Sequence, residues 1–164
     1  MTTKRIAYCA MLTALAMIFG YVEALFPFSF GIPGMKLGLA NLVIVTALYL
    51  LPAYQVFCIQ VARIVLISFL FGNMSMMLYS IAGGVLSFFV MYVLKYRTGY
   101  SIIGVSVAGG VSHNIGQLLV ACIVVENSKV ILYLPILLIA GVVTGALIGI
   151  VAQRIRSTVK KVRL

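Results

Sequence analysis

The run IVLISFLFGNMSMMLYSIAGGVLSFFVMYVL, residues 64–94, holds no acid, no base and no histidine. It is 31 residues long. A bilayer's hydrocarbon core is filled by about 20 residues of helix. The run is therefore too long for one span, and Gly72-Asn73 is the natural break inside it. One helix is predicted to end near Phe71 and the next to begin near Ser75. Two consecutive spans joined by a tight turn make this an all-α polytopic membrane protein.

The rest of the chain repeats the pattern. Apolar residues make up 64% of it and charged residues 9%, whereas a soluble domain carries about a quarter charged residues. Six transmembrane helices are predicted, over about 4–24, 36–51, 53–71, 75–95, 101–125 and 130–153. They form a single transmembrane domain over 1–164, with a short basic tail from about 154. Lys4 and Arg5 precede an uncharged run from Ile6 to Val22. Ala14-Leu15-Ala16 resembles a signal-peptide cleavage site, but the apolar run continues past it, so the segment reads as a retained span. Phe26-Pro27-Phe28-Ser29-Phe30-Gly31-Ile32-Pro33-Gly34 cannot be helical, and its aromatics suit an interfacial loop or lid.

Six spans put both termini on one side. Lys4, Arg5, Lys95, Arg97, Arg154, Arg156, Lys160, Lys161 and Arg163 then share that side, against Lys36 and Lys129 on the other. The excess of cytoplasmic Lys and Arg in membrane proteins predicts cytoplasmic termini in the plasma membrane. Five spans would separate the basic ends. The net charge of +10 thus speaks to orientation and anionic headgroups. A loop-poor membrane protein offers little surface to nucleic acid.

The chain has no Asp, and Glu23 and Glu126 are its two acids. Chemistry that holds magnesium on carboxylate clusters is excluded. No catalytic residue, metal site or cofactor is predicted, and the chain reads as a non-enzyme. Cys9, Cys58 and Cys122 are widely spaced inside apolar runs and odd in number, so they read as free, buried thiols. No phosphate-binding glycine loop with Lys and Ser/Thr is present, so any ATP-driven step needs a separate ATPase module.

Four groups of residues are candidates for function. Arg63 falls mid-way along the third helix, where a charge costs a few kcal/mol or more and needs an interior partner. It reads either as a structural arginine bonded to carbonyls or Glu23, or as the anchor of a ligand anion. Ser106, Gly109, Gly110, His113 and Gln117 recur at three- and four-residue steps on the fifth helix. They form either a packing seam or the polar wall of a cavity, with Asn114 just off the stripe. In the third group, Lys36 and Asn41 lie at the start of the second helix, whose free N–H groups and positive dipole end suit an anion; Lys36 also suits a plain snorkelling role. Glu23 faces Lys36, Arg63 or a ligand. The fourth group is the spacing Ala10-x-x-x-Ala14 and Ala16-x-x-x-Gly20, which fits close helix packing within the chain or docking to another membrane protein.

The segments Pro33-Gly34-Met35-Lys36-Leu37-Gly38-Leu39-Ala40-Asn41 and Gly109-Gly110-Val111-Ser112-His113-Asn114-Ile115-Gly116-Gln117 resemble signatures of the Gx transporter family, also called heptaprenyl diphosphate synthase component I. Size and layout are similar to the S-components of energy-coupling-factor transporters. The resemblance implies an S-component-like bundle that binds a small anionic, vitamin-like or isoprenoid-like substrate near its outer face. Arg63, His113, Gln117, Lys36, Asn41, Glu23 and Asn114 would line the site. It also implies a transmembrane coupling protein and an ATPase module as partners, with Ala10 and Ala14 in the docking motif. Ile6 and Ile18 stand where a third alanine would lie. The alternative is a non-catalytic membrane subunit of a polyprenyl diphosphate synthase, since prenyl elongation uses aspartate-rich motifs that this chain lacks.

Overall fold

A computed structural model describes residues 3–25, 38–126 and 128–162. They form six α-helices: α1 (Thr3–Leu25), α2 (Leu39–Leu50), α3 (Ala53–Phe71), α4 (Met74–Val93), α5 (Ile102–Val125) and α6 (Leu134–Val162). A π-helical turn, Leu94–Thr98, extends α4, and a 3-10 turn, Ser128–Tyr133, leads into α6. Five helices are long and apolar enough to cross a membrane. No strand occurs among the described residues.

The break at Gly72-Asn73 falls where the sequence places it. The Asn73 side chain accepts the Met76 N–H at 2.8 Å and so caps α4. Ser101 does the same for α5, accepting from Gly104 at 3.1 Å. Each side-chain oxygen meets one of the N–H groups that a helix start leaves unpaired.

Three boundaries differ from expectation, and the first is the start of the sixth helix, at Leu134 rather than near 130, where a 3-10 turn stands instead. The second helix begins at Leu39 rather than near 36, because Gly38 takes a left-handed conformation with φ of 76°. A glycine adopts that backbone without steric cost, and the helix cannot run back through it. The basic segment from 154 is not a separate tail, because α6 runs on to Val162. Ile155 and Val159 are four apart, and both line a groove shared with α1 and α2. Arginines and lysines at a helix C-terminus also favour continuation, by opposing the negative dipole end.

The shortest helix is the innermost. Twelve residues make α2 about 18 Å long, less than a bilayer core. Ala40 and every residue from Val43 to Leu48 are buried, as expected of a helix that is apolar all round. Its ends are matched by opposite charges from other elements. At the N-terminus the Glu23 carboxylate of α1 accepts the N–H groups of Gly38 and Leu39, the latter at 3.0 Å. At the C-terminus the Lys95 ammonium donates to the Leu48 carbonyl. Both charges oppose the helix dipole, which is worth up to about 2 kcal/mol at a partly buried end. Lys95 and Arg156 also stack on the Tyr49 ring, at 5.1 and 5.0 Å from its centroid. These contacts bring the ends of α2 and α6 and the turn after α4 together at one pole of the bundle.

Candidate ligand-binding site

A cavity of about 80 Å³ lies between the middle of the bundle and the pole that carries Glu23 and the start of α2. A water needs roughly 10–15 Å³ of such space, so several waters or one small head group would fit. Among the residues expected at a site, Arg63, His113, Gln117, Asn41, Glu23 and Asn114 all line this cavity. They come from α1, α2, α3 and α5, brought together by the bundle. Lys36 and the aromatic loop before it lie outside the described residues.

Arg63 is the eleventh of the nineteen residues of α3 and is 8% exposed. Its Nε donates to Gln60 Oε1 at 2.9 Å, and Gln60 Nε2 donates to the Gly84 carbonyl of α4 at 3.3 Å. Gln60 therefore aims the guanidinium and ties it to α4. Among the described residues, no protein acceptor meets the four remaining N–H donors of Arg63, which belongs to the cavity wall. A buried charge without a partner is costly, and an arginine fork suits a planar or tetrahedral oxyanion.

Glu23 is the other fixed charge in the wall. Its carboxylate is committed to the α2 N-terminus, where it stands against the positive dipole end. Among the described residues the wall thus carries Arg63 and Glu23, and the Glu23 carboxylate acts both on the α2 N-terminus and, electrostatically, on Arg63. Glu23→Ala should strip two half-buried N–H groups of their acceptor, at about 1 kcal/mol or somewhat more. The expected result is a clear drop in the thermal midpoint in detergent. Glu23→Gln keeps an accepting oxygen and should recover part of the loss.

The fifth-helix stripe divides between packing and cavity. Gly116 packs against Gly83 and Ala82 of α4, and Gly110 against the Gly141 carbonyl of α6. A Cβ at Gly83 would lie 3.1 Å from Cε1 of the His113 ring and 2.8 Å from Gln117 Cγ. That missing side chain lets both residues lie flat on α4. Ser106 is buried in the seam, with no partner for its hydroxyl among the described residues. Asn114 donates to the Leu137 carbonyl at 2.7 Å, so the residue just off the stripe links α5 to α6 and lines the cavity as well.

The alanine spacing divides likewise. Ala16 is buried and Gly20 packs against Ile67 of α3, whereas Ala10 and Ala14 are exposed. Sequence reading missed Gln60, Ser68, Ser80 and Thr144. Gln60 precedes Arg63 by three residues on one helix, which was the available signal. The other three are single hydroxyls in apolar runs and carried none. The three cysteines are free thiols but not buried as expected, because Cys58 lies on the outer surface of α3 and Cys9 and Cys122 are half-buried; no metal-binding cluster occurs among the described residues.

Residues 12–155 match the sequence profile of heptaprenyl diphosphate synthase component I. The chain belongs to this family. Comparison with curated proteins and with solved structures returns no match. Component I of heptaprenyl diphosphate synthase names one part of a synthase of more than one component. This member of the heptaprenyl diphosphate synthase component I family is a non-catalytic, multi-pass membrane protein.

Proposed function

We propose that this protein is a membrane ligand-binding subunit that captures a small anionic molecule in the Arg63 cavity. The observation that carries this reading is Arg63, buried, aimed by Gln60, with donors open to the cavity and no described protein acceptor for them. His113, Gln117, Asn41 and Asn114 supply further polar contacts around the anion, and Lys36 is proposed as a second cation. The cavity lies away from the pole where Arg5, Lys95, Arg97, Arg154, Arg156 and Lys161 gather. With the basic pole in the cytoplasm of a plasma-membrane protein, the ligand is taken from the outer half of the bilayer. That geometry suits uptake of S-component type. A transmembrane coupling protein would then dock on the exposed face of α1 at Ala10 and Ala14, with energy from an ATPase module. α1 is the least buried of the long helices, which leaves such a face open.

A second reading follows from the family and the basic continuation of α6. In it the basic pole recruits the soluble catalytic component of a prenyl diphosphate synthase. Native mass spectrometry of gently solubilised protein, with a triple change of Arg154, Lys160 and Lys161 to Gln, separates the two. A small molecule retained by the wild type and by the triple variant, but lost in Arg63→Ala, supports capture. Co-purification of a synthase subunit that the triple variant loses supports recruitment. A wild-type protein that retains no small molecule, and binds no added inorganic diphosphate, sinks the capture reading.

A further inference from the structure

Asn114 and Gln117 stand at the edge of the polar cavity. Both residues also line a second hollow of about 420 Å³ between α4, α5 and the start of α6. Its other walls include Tyr79, Leu118, Ala121, Val130 and Leu137, almost all carbon. Val125 and Tyr133 lie along it toward the far end of α5 and are 54% and 49% exposed. The hollow therefore opens to the outside of the bundle near the end of α5. The side chain of Asn114, at the junction, is held by the Leu137 carbonyl.

We infer that the ligand is an anionic amphiphile, with its charged head at Arg63 and one apolar chain in the side hollow. This rests on the capture reading above and deepens it. A free inorganic anion would use the 80 Å³ cavity and leave a far larger apolar hollow without purpose. Ligand sites are mostly apolar, with a few polar groups that fix orientation. Here the polar groups stand at one end and the apolar wall leads away from them to the lipid. A single chain could thus stay in hydrocarbon throughout while its head enters the protein. The shared chemistry is a phosphate or diphosphate on a linear chain, from a free prenyl diphosphate or from an anionic bilayer lipid.

The test uses the full chain in phosphatidylcholine nanodiscs, with inorganic diphosphate and farnesyl diphosphate as probes. Wild type is expected to hold the farnesyl compound at least about tenfold more tightly. Ala121→Phe and Val130→Phe, which fill the hollow, should erase that margin and leave inorganic diphosphate unchanged. Retained diphosphate binding reports that each variant is folded. Displacement of the farnesyl compound by added phosphatidylglycerol identifies a bilayer lipid as the natural source; no displacement identifies the free diphosphate. If diphosphate binds and the chain adds nothing, or if the gain survives both variants as plain partitioning into lipid, this inference is overturned alone. If neither probe binds wild type, the capture reading falls with it.

Discussion

Arg63→Leu is expected to abolish binding of an anionic ligand while leaving the protein as stable as the wild type, or more so. The two halves of that result have one cause. A guanidinium at mid-helix, 8% exposed, is taken out of water, and the one bond it makes to described side chains is to a neutral amide, Gln60. Removing a buried charge that has few partners relieves its desolvation cost, and Glu23 keeps the N–H groups of Gly38 and Leu39 as its own partners when Arg63 is gone. Binding behaves oppositely. Two hydrogen bonds from a charged donor are worth about 1.5–3 kcal/mol each, so losing both costs at least about a hundredfold in affinity. Titration calorimetry with inorganic diphosphate and a thermal melt in the same detergent read both halves. A large fall in the midpoint for Arg63→Leu would make Arg63 a structural arginine. Arg63→Lys should bind in between, because a compact ammonium lacks the planar fork.

The long-range order of this fold was legible because a membrane protein writes it in simple terms. An uncharged run exceeding one span, with Gly72-Asn73 inside it, located the α3–α4 turn. Arg63 and His113 stood out because polar groups are rare at mid-helix, and the structure brings both to one cavity. What stayed hidden were the relations between helices. The tie between Glu23 and the start of α2 joins residues 15 and 16 apart, across a segment whose path the sequence does not define. In the sequence Lys95 counts only among the basic residues that set orientation, yet its ammonium reaches the Leu48 carbonyl, 47 residues away. The extension of α6 was missed because charge density was taken as the end of a span. A helix that has left the hydrocarbon can keep winding. The glycines on α5 showed a close approach without saying to which neighbour.

Gly116 meets α4 and Gly110 meets α6, and the α6 contact supplies the largest structural prediction. Gly141, Gly145 and Gly149 recur every four residues, and each lies against the α5 backbone: at Val111, Val107 and Ile103 in turn. These α5 positions are also four apart, so the two helices meet along matched ridges at backbone distance. In lipid there is little hydrophobic gain from helix association, and close contact between small residues supplies much of the attraction. A Cβ at Gly145 would stand 2.7 Å from Val107 Cα and 2.9 Å from the Ser106 carbonyl oxygen. Backbone atoms cannot swing aside, so the helices must part. Gly145→Ala should cost about 1–3 kcal/mol through overpacking, and Gly145→Leu should leave little folded protein after extraction. Gly104→Ala is the control, because its nearest neighbours are the side chains of Tyr100 and Ser101, which can move. It should melt at or slightly above the wild-type temperature, given that alanine favours helix by about 1 kcal/mol over glycine. Gly145 also lines the Arg63 cavity, so any Gly145→Ala protein that survives should bind inorganic diphosphate more weakly. Equal melting of the Gly145→Ala and Gly104→Ala proteins would mean that the α5–α6 seam is looser than drawn. The cavity wall that Asn114 ties to α6 would then have to be held by other contacts.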